Sequence, residues 1–160
     1  MSTLILSAES DCVPQLVESV AALFSEDGGQ RDPYMDIHWP KREGIDYYAA
    51  AVEDPSCLCL VAFDGTSRRS PIVGHLIGRT MRHNGLRPDA AQVVLESMRV
   101  DPAHRVRGVG TLLVEHFREW GHLAAANEAS VAAYAANTQA IQFYVHCGFT
   151  PFELTLHASL

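Results

Sequence analysis

The chain has a single lysine among its 160 residues. Its 12 Lys and Arg face 19 Asp and Glu, which leaves a formal charge of −7 at pH 7. That balance argues against a general nucleic-acid partner, because such affinity comes mostly from cations neutralising phosphates. Long apolar runs are also missing. The longest uncharged stretch, Ala129 to Phe152, is interrupted by Asn137, Thr138, Gln139, Gln142, Gly148 and Pro151, so no membrane span is expected. Met1 to Ser10 lacks a basic region and a long enough apolar segment for a secretory signal. A cytoplasmic location is the expectation. Cys12, Cys57, Cys59 and Cys147 lack zinc-ligand spacing, and free cysteines without it behave as small apolar groups. His116 and His122 lie six apart and point to opposite sides of a helix. No metal is expected, and no repeat or low-complexity tract occurs.

What is present suits one globular domain over residues 1–160. Hydrophobic residues make up 48% of the chain and charged ones 19%, enough apolar surface for a sizeable core. Leu4 to Leu6 reads as a first strand, and Asp11 as the N-cap of a helix reaching about Phe24, with Pro14 in its first turn. Ser25 to Pro40 breaks the pattern as an irregular or partly helical segment, long enough to be functional. Arg42 to Val52 suits a second helix. Cys57 to Phe63, Ile72 to Arg79 and Gln92 to Val100 read as antiparallel strands separated by polar turns.

Downstream, Val109, Leu112, Leu113, His116, Phe117 and Trp120 follow i, i+3, i+4 spacing, which predicts an amphipathic helix over Val109 to Leu123. Ala129 to Ala135 reads as a fifth strand. Thr138 to Cys147 reads as a fourth helix closed by Gly148, and Pro151 to Leu156 as a last strand. Strand, helix, strand and helix in close succession imply a parallel crossover in a mixed sheet. The fold class expected is α/β of the α+β mixed-sheet kind, with about six to seven strands flanked by four helices.

Chemistry concentrates at Arg105-Val106-Arg107-Gly108-Val109-Gly110, between a strand and the start of a helix. Glycines there let the backbone approach a ligand, and the first N–H groups of the helix are free to hold an anion. Arg99 to Arg107 carries three arginines and Asp101, a net +2 against the overall sign. A solvated basic turn is the plain alternative. The segment is not a nucleotide P-loop, since Thr111 and Leu112 follow Gly110 where Gly-Lys-Ser/Thr would be needed.

A second block, Asn137-Thr138-Gln139-Ala140-Ile141-Gln142-Phe143-Tyr144-Val145-His146-Cys147-Gly148-Phe149, follows the fifth strand. In this order the two blocks resemble the GNAT superfamily of acetyl-CoA-dependent N-acetyltransferases, with its R/Q-x-x-G-x-G/A loop and its N-x-x-A-x-x-F-Y-x-x-x-G-F segment. The detailed match covers roughly Glu96 to Phe149. The resemblance implies acetyl-CoA lying between splayed strands 4 and 5. Backbone groups of Arg105, Val106, Arg107, Gly108, Val109, Gly110 and Thr111 would hold its pyrophosphate, and those of Met98, Arg99 and Val100 its pantetheine arm. Ala140 would stand where the last helix closes on the cofactor. Asn137 would contact the cofactor or simply cap that helix. Tyr144 would donate a proton to the leaving thiolate, a role within reach of a phenol, or else only pack.

Many family members place a glutamate eleven residues before the first Arg or Gln of the loop, a position held here by Val94. Glu96, two residues later, lies on the same face by strand alternation. It is the candidate base or acceptor-orienting group; the alternative is a rim or buried glutamate paired with an arginine. The acceptor side is expected in Glu26 to Tyr48, where Glu26, Asp27, Asp32, Asp36 and Glu43 accompany Tyr34, Trp39, Tyr47 and Tyr48. Carboxylates among aromatic rings suit a small cationic amine, although a polar surface loop would look similar. The activity implied is acetyl transfer to a primary amine by direct attack. The alternative is an acyl-CoA-binding sensor or partner-regulating module that has lost transfer. Similar proteins often form a homodimer through their last strands, and that too is an expectation.

Overall fold

The computed structural model describes residues 2–160. Five strands, β1 (Thr3–Ser7), β2 (Cys57–Asp64), β3 (Ile72–Thr80), β4 (Gln92–Val100) and β5 (Glu128–Val131), form one sheet in the order β1-β2-β3-β4-β5. The first four are antiparallel, and β5 joins β4 in parallel. Helices α1 (Val13–Glu26), α2 (Gly28–Arg31), α3 (Trp39–Glu53), α4 (Val109–Leu123) and α5 (Thr138–His146) complete the chain.

The strands read as near-continuous apolar runs because both faces of the sheet are covered. On one face Leu16 and Val20 of α1 and Tyr48 of α3 pack against Val61, Phe63 and Ile77. On the other, Leu113 and Phe117 of α4 pack against Leu60, Leu76, Val93 and Leu95. Period-2 alternation along β2 sends odd-numbered residues to the first layer and even-numbered ones to the second. The α4 stripe is narrower than its sequence pattern, since Leu112 and His116 are exposed while Val109, Leu113, Val114 and Phe117 are buried. Among the described residues no helix is long and apolar enough to cross a membrane.

Three expectations are corrected. The expected count of six to seven strands becomes five, because Pro151 to Leu156 forms no strand. Phe152, Leu154 and Leu156 do alternate, but they are exposed and no strand edge pairs with them; alternation without a partner does not make a ladder. The expected fifth strand, Ala129 to Ala135, shifts to Glu128–Val131, since the chain leaves β4 after Val131. The N-cap of α1 is Cys12 rather than Asp11, which sits inside a 3-10 turn over Ser10–Cys12.

Two features of β4 position the site. Its pairing with β5 ends at Leu95↔Val131, so among the described residues Glu96–Val100 has no partner on that side and the two strands part. Against β3, Ile77 pairs with Ser97 but Gly78 pairs with Leu95. Glu96 is the extra residue of a β-bulge, which reverses the side-chain alternation. Val93 and Leu95 before it and Met98 and Val100 after it all face α4. Glu96, Ser97 and Arg99 therefore turn toward α1 and α3.

Candidate functional site

The loop before α4 adopts the conformation its glycines permit. Gly108 caps the helix at φ 82° and Val106 also sits in the left-handed region at φ 61°, fully exposed. Leu112 N–H donates to Gly108 O at 3.0 Å, so the preceding N–H groups of the first turn have no helical acceptor and face outward at the positive end of the dipole. An ideal Cβ on Gly110 would stand 3.1 Å from the Phe143 ring. The missing side chain lets α4 and α5 meet there.

The basic stretch is not a free +2 patch. Glu26, at the end of α1, accepts hydrogen bonds from Arg99 at 2.7 Å and from Arg105 at 3.0 Å, and Arg99 also pairs with Asp101. Arg105 further donates to Val100 O at 2.8 Å, which closes the loop on the strand before it. Partial burial disfavours the Glu26 carboxylate, but hydrogen bonds and charge attraction from Arg99 and Arg105 outweigh it and lower its pKa. Among the described residues Arg107 makes no ion pair, and it is the arginine left to face an anion.

On the α1 and α3 face, a cavity of about 720 Å³ opens onto the place where β4 and β5 part. Trp39, Tyr47 and Tyr48 of α3, Phe24 of α1, Asp27 and Met35 line one side; Glu96 and Ser97 of β4 and Ala132 to Tyr134 line the other. Thr155 and His157 of the C-terminal segment also reach it. The rings brace one another: Trp39 stands 5.2 Å from Tyr47 and 6.1 Å from Phe24. Of the other residues expected there, Asp32 and Asp36 accept backbone N–H groups in their own turns, Glu43 pairs with Arg42, and Tyr34 is solvent-exposed.

Glu96 has the arginine partner that its sequence context leaves open. Arg79 Nε donates to Glu96 Oε2 at 3.0 Å, and Tyr47 O–H donates to Oε1 at 3.0 Å. Arg79 also donates to the Tyr47 hydroxyl at 2.7 Å and lies 5.1 Å from the centre of its ring. Arg79, absent from the sequence-based site, fixes the carboxylate at the cavity wall. Burial and the Glu96 charge raise the Tyr47 phenol pKa, so Tyr47 stays a donor.

Asn137 caps α5 through its side chain, accepting from Ala140 N–H at 3.1 Å, and its amide donates to Asp27 at 3.0 Å. The capping role foreseen for it is thus present. Tyr144 lies between Phe143 and Phe149 at 5.3 and 5.7 Å, and its hydroxyl has no hydrogen-bond partner among the described residues. Burial, aided by the charge of Asp27, pushes its pKa up to about 12. Burial also raises the pKa of Cys57, Cys59 and Cys147, which keeps these thiols neutral. Among the described residues no group of three or more His, Cys, Asp or Glu side chains could hold a metal.

A five-stranded mixed sheet opening between its last two strands, with a glycine-capped helix beside the opening, defines an acyltransferase fold of known type. The chain belongs to the acetyltransferase (GNAT) family, whose profile matches residues 17–149. Among solved structures it resembles a mutant of the BH1408 protein from Bacillus halodurans, with a TM-score of 0.84, 19% identity, and 98% and 99% of the two chains covered. The aminoglycoside 6′-N-acetyltransferase AAC(6′)-Ih from Acinetobacter baumannii superposes with a TM-score of 0.75 at 14% identity over 99% and 98% of the chains. AAC(6′)-Iy, bound to the bisubstrate analogue CoA-S-monomethyl-acetylneamine, gives 0.71 at 16% identity over 100% and 99%. No curated protein gives a significant match to the sequence.

Proposed function

We propose that the protein is an N-acetyltransferase that moves the acetyl group of acetyl-CoA to a primary amine of a small cationic molecule. The observation that carries this reading is the acid- and aromatic-lined cavity opening onto the unpaired edge of β4. Residues present suit the cofactor: Met98 to Val100 offer an unpaired strand edge, and Arg105 to Thr111 offer free N–H groups with Arg107 beside them. Ala140, on the first turn of α5, stands beside the Asn137 cap. The rings of Trp39 and Tyr47 favour a cation in the cavity, and the carboxylates of Asp27 and Glu96, paired with Arg31 and Arg79, add acceptor oxygens for its N–H groups.

In this reading the amine nitrogen attacks the thioester carbonyl, the C–N bond forms and the C–S bond breaks. Glu96 orients the amine and takes its proton directly or through water, while Tyr144 donates a hydrogen bond to the departing thiolate. Cys147 carries no acyl group, because it lacks a base partner and burial keeps it protonated. The exposed Phe152, Leu154 and Leu156 support a homodimer through the C-terminal segment.

Calorimetry with acetyl-CoA, followed by thiol release with an aminoglycoside, a polyamine and a lysine peptide, tests the assignment. Saturable cofactor binding and turnover with at least one amine are expected; neither being seen would sink it, and binding without turnover favours a sensor. Glu96→Gln keeps the shape and one acceptor oxygen for Arg79 or Tyr47 but removes the charge. Its kcat/KM is expected to fall by roughly 10- to 100-fold, and an unchanged value would assign proton removal to water.

A further inference from the structure

Ser19 and His75 are the polar side chains within the core among the described residues. The His75 imidazole on β3 bridges two hydroxyls: Nδ1 lies 2.6 Å from Ser19 Oγ of α1, and Nε2 lies 2.8 Å from Ser97 Oγ of β4. Ser97 comes directly after the bulge and lines the cavity across from Ala132 to Tyr134, where β4 and β5 part. The chain of contacts therefore runs from the core to the junction of cavity and gap. Burial, with Arg99 nearby, holds the ring neutral, with a pKa of about 3.

A neutral imidazole has one N–H and one lone pair, so the two serines must play opposite parts. Ser19 decides which. Its hydroxyl has His75 Nδ1 as its hydrogen-bond partner and no other among the described residues. Were Nδ1 protonated, the Ser19 proton would be buried without an acceptor, a penalty of roughly tenfold or more in population. Ser19 thus donates to Nδ1, and the Nε2–H donates to Ser97 Oγ. The Ser97 proton has no path back to the ring and turns to the cavity.

We propose that Ser97 is a fixed hydrogen-bond donor at the meeting point of the two substrates, oriented by His75 and Ser19 as positioning residues, and that it takes a ligand oxygen. That oxygen comes from the acetyl thioester carbonyl or from a hydroxyl or ether of the amine substrate. The proposal rests on the transferase reading, and it adds a selection rule: a substrate offering only N–H or C–H at that point leaves the donor unsatisfied.

Two measurements on the full chain test it. Nitrogen-15 spectra of the histidine rings are expected to show His75 protonated at Nε2; protonation at Nδ1 overturns the proposal. In steady-state assays with acetyl-CoA and the best amine of the panel, Ser97→Ala is expected to lose at least about tenfold in kcat/KM while Ser97→Thr retains activity. A loss in kcat, with acetyl-CoA no longer bound in preference to CoA, identifies the thioester oxygen. A rise in the KM of the amine with kcat held identifies the amine substrate. Ser19→Ala should mix the two ring tautomers and give an intermediate loss. Unchanged constants in Ser97→Ala overturn the proposal, whereas failure of the native chain to bind acetyl-CoA sinks the transferase reading and leaves the tautomer result standing.

Discussion

Replacing Tyr144 with phenylalanine is expected to lower kcat by roughly 100-fold, the scale of losing one positioned hydrogen-bond donor to developing charge, while the acetyl-CoA dissociation constant changes less than about twofold. The split follows from the surroundings. The ring packs between Phe143 and Phe149, and phenylalanine keeps those contacts. Only the hydroxyl is lost, and that hydroxyl has no hydrogen-bond partner among the described residues. Because burial holds its pKa at about 12, the phenol stays protonated at every working pH. Proton transfer to a thiolate of pKa ~8.5 would run uphill, so a strong hydrogen bond is the form its help takes. Stopped thiol release measures kcat and calorimetry the affinity; an unchanged kcat removes Tyr144 from the chemistry.

Acidification is expected to destabilise the fold well before the carboxylates titrate. A histidine in the unfolded chain takes up a proton near pH 6.5, whereas His75 in the fold does so only near 3. Between those values the unfolded state holds one more proton, so unfolding free energy rises with pH across the window. The contribution is complete above pH 6.5 and is lost as pH falls toward 3, reaching about 5 kcal/mol at the limit. Carboxylates titrate mainly below about 4.5. The part between pH 6.5 and 5, about 2 kcal/mol, therefore reports the buried ring. Urea unfolding at a series of pH values measures it, and His75→Gln should flatten the slope in that interval. A slope equal to that of the native chain in the variant would show that His75 is not its source.

Much of the candidate site was legible because it is local. Gly108 and Gly110 between a strand and an amphipathic helix announce a loop whose backbone matters, and Gly108 does adopt the left-handed conformation. Val109–Leu123 and Gln92–Val100 have the bounds read from the sequence: apolar periodicity marks the helix, and the polar turn at His83 to Asp89 and Asp101-Pro102 bound the strand. Asn137 was readable as a cap for the same reason. His75 carried a signal too, a histidine within the apolar run Ile72–Ile77, but its partners stand 56 and 22 residues away. Arg79 gave no signal.

The residues by themselves determined the order of elements, the loop before α4, the family resemblance and the acidic, aromatic segment after α1. Each depends on neighbours a few positions apart, where backbone stereochemistry and periodicity act directly. Only the tertiary structure decided which alternating segments pair as strands and which charges are free. The Pro151–Leu156 segment shows the first: its alternation is right, but a strand also needs an edge to pair with, and pairing is a property of the whole sheet. The Arg99 to Arg107 stretch shows the second. Summed along the chain it is +2, but Glu26, 73 and 79 residues away, takes up two of its arginines. The absences that open the sequence, above all the scarcity of lysine, limit the partners. Long-range pairing decides which arginine remains to meet them, because charge acts through space rather than along the chain.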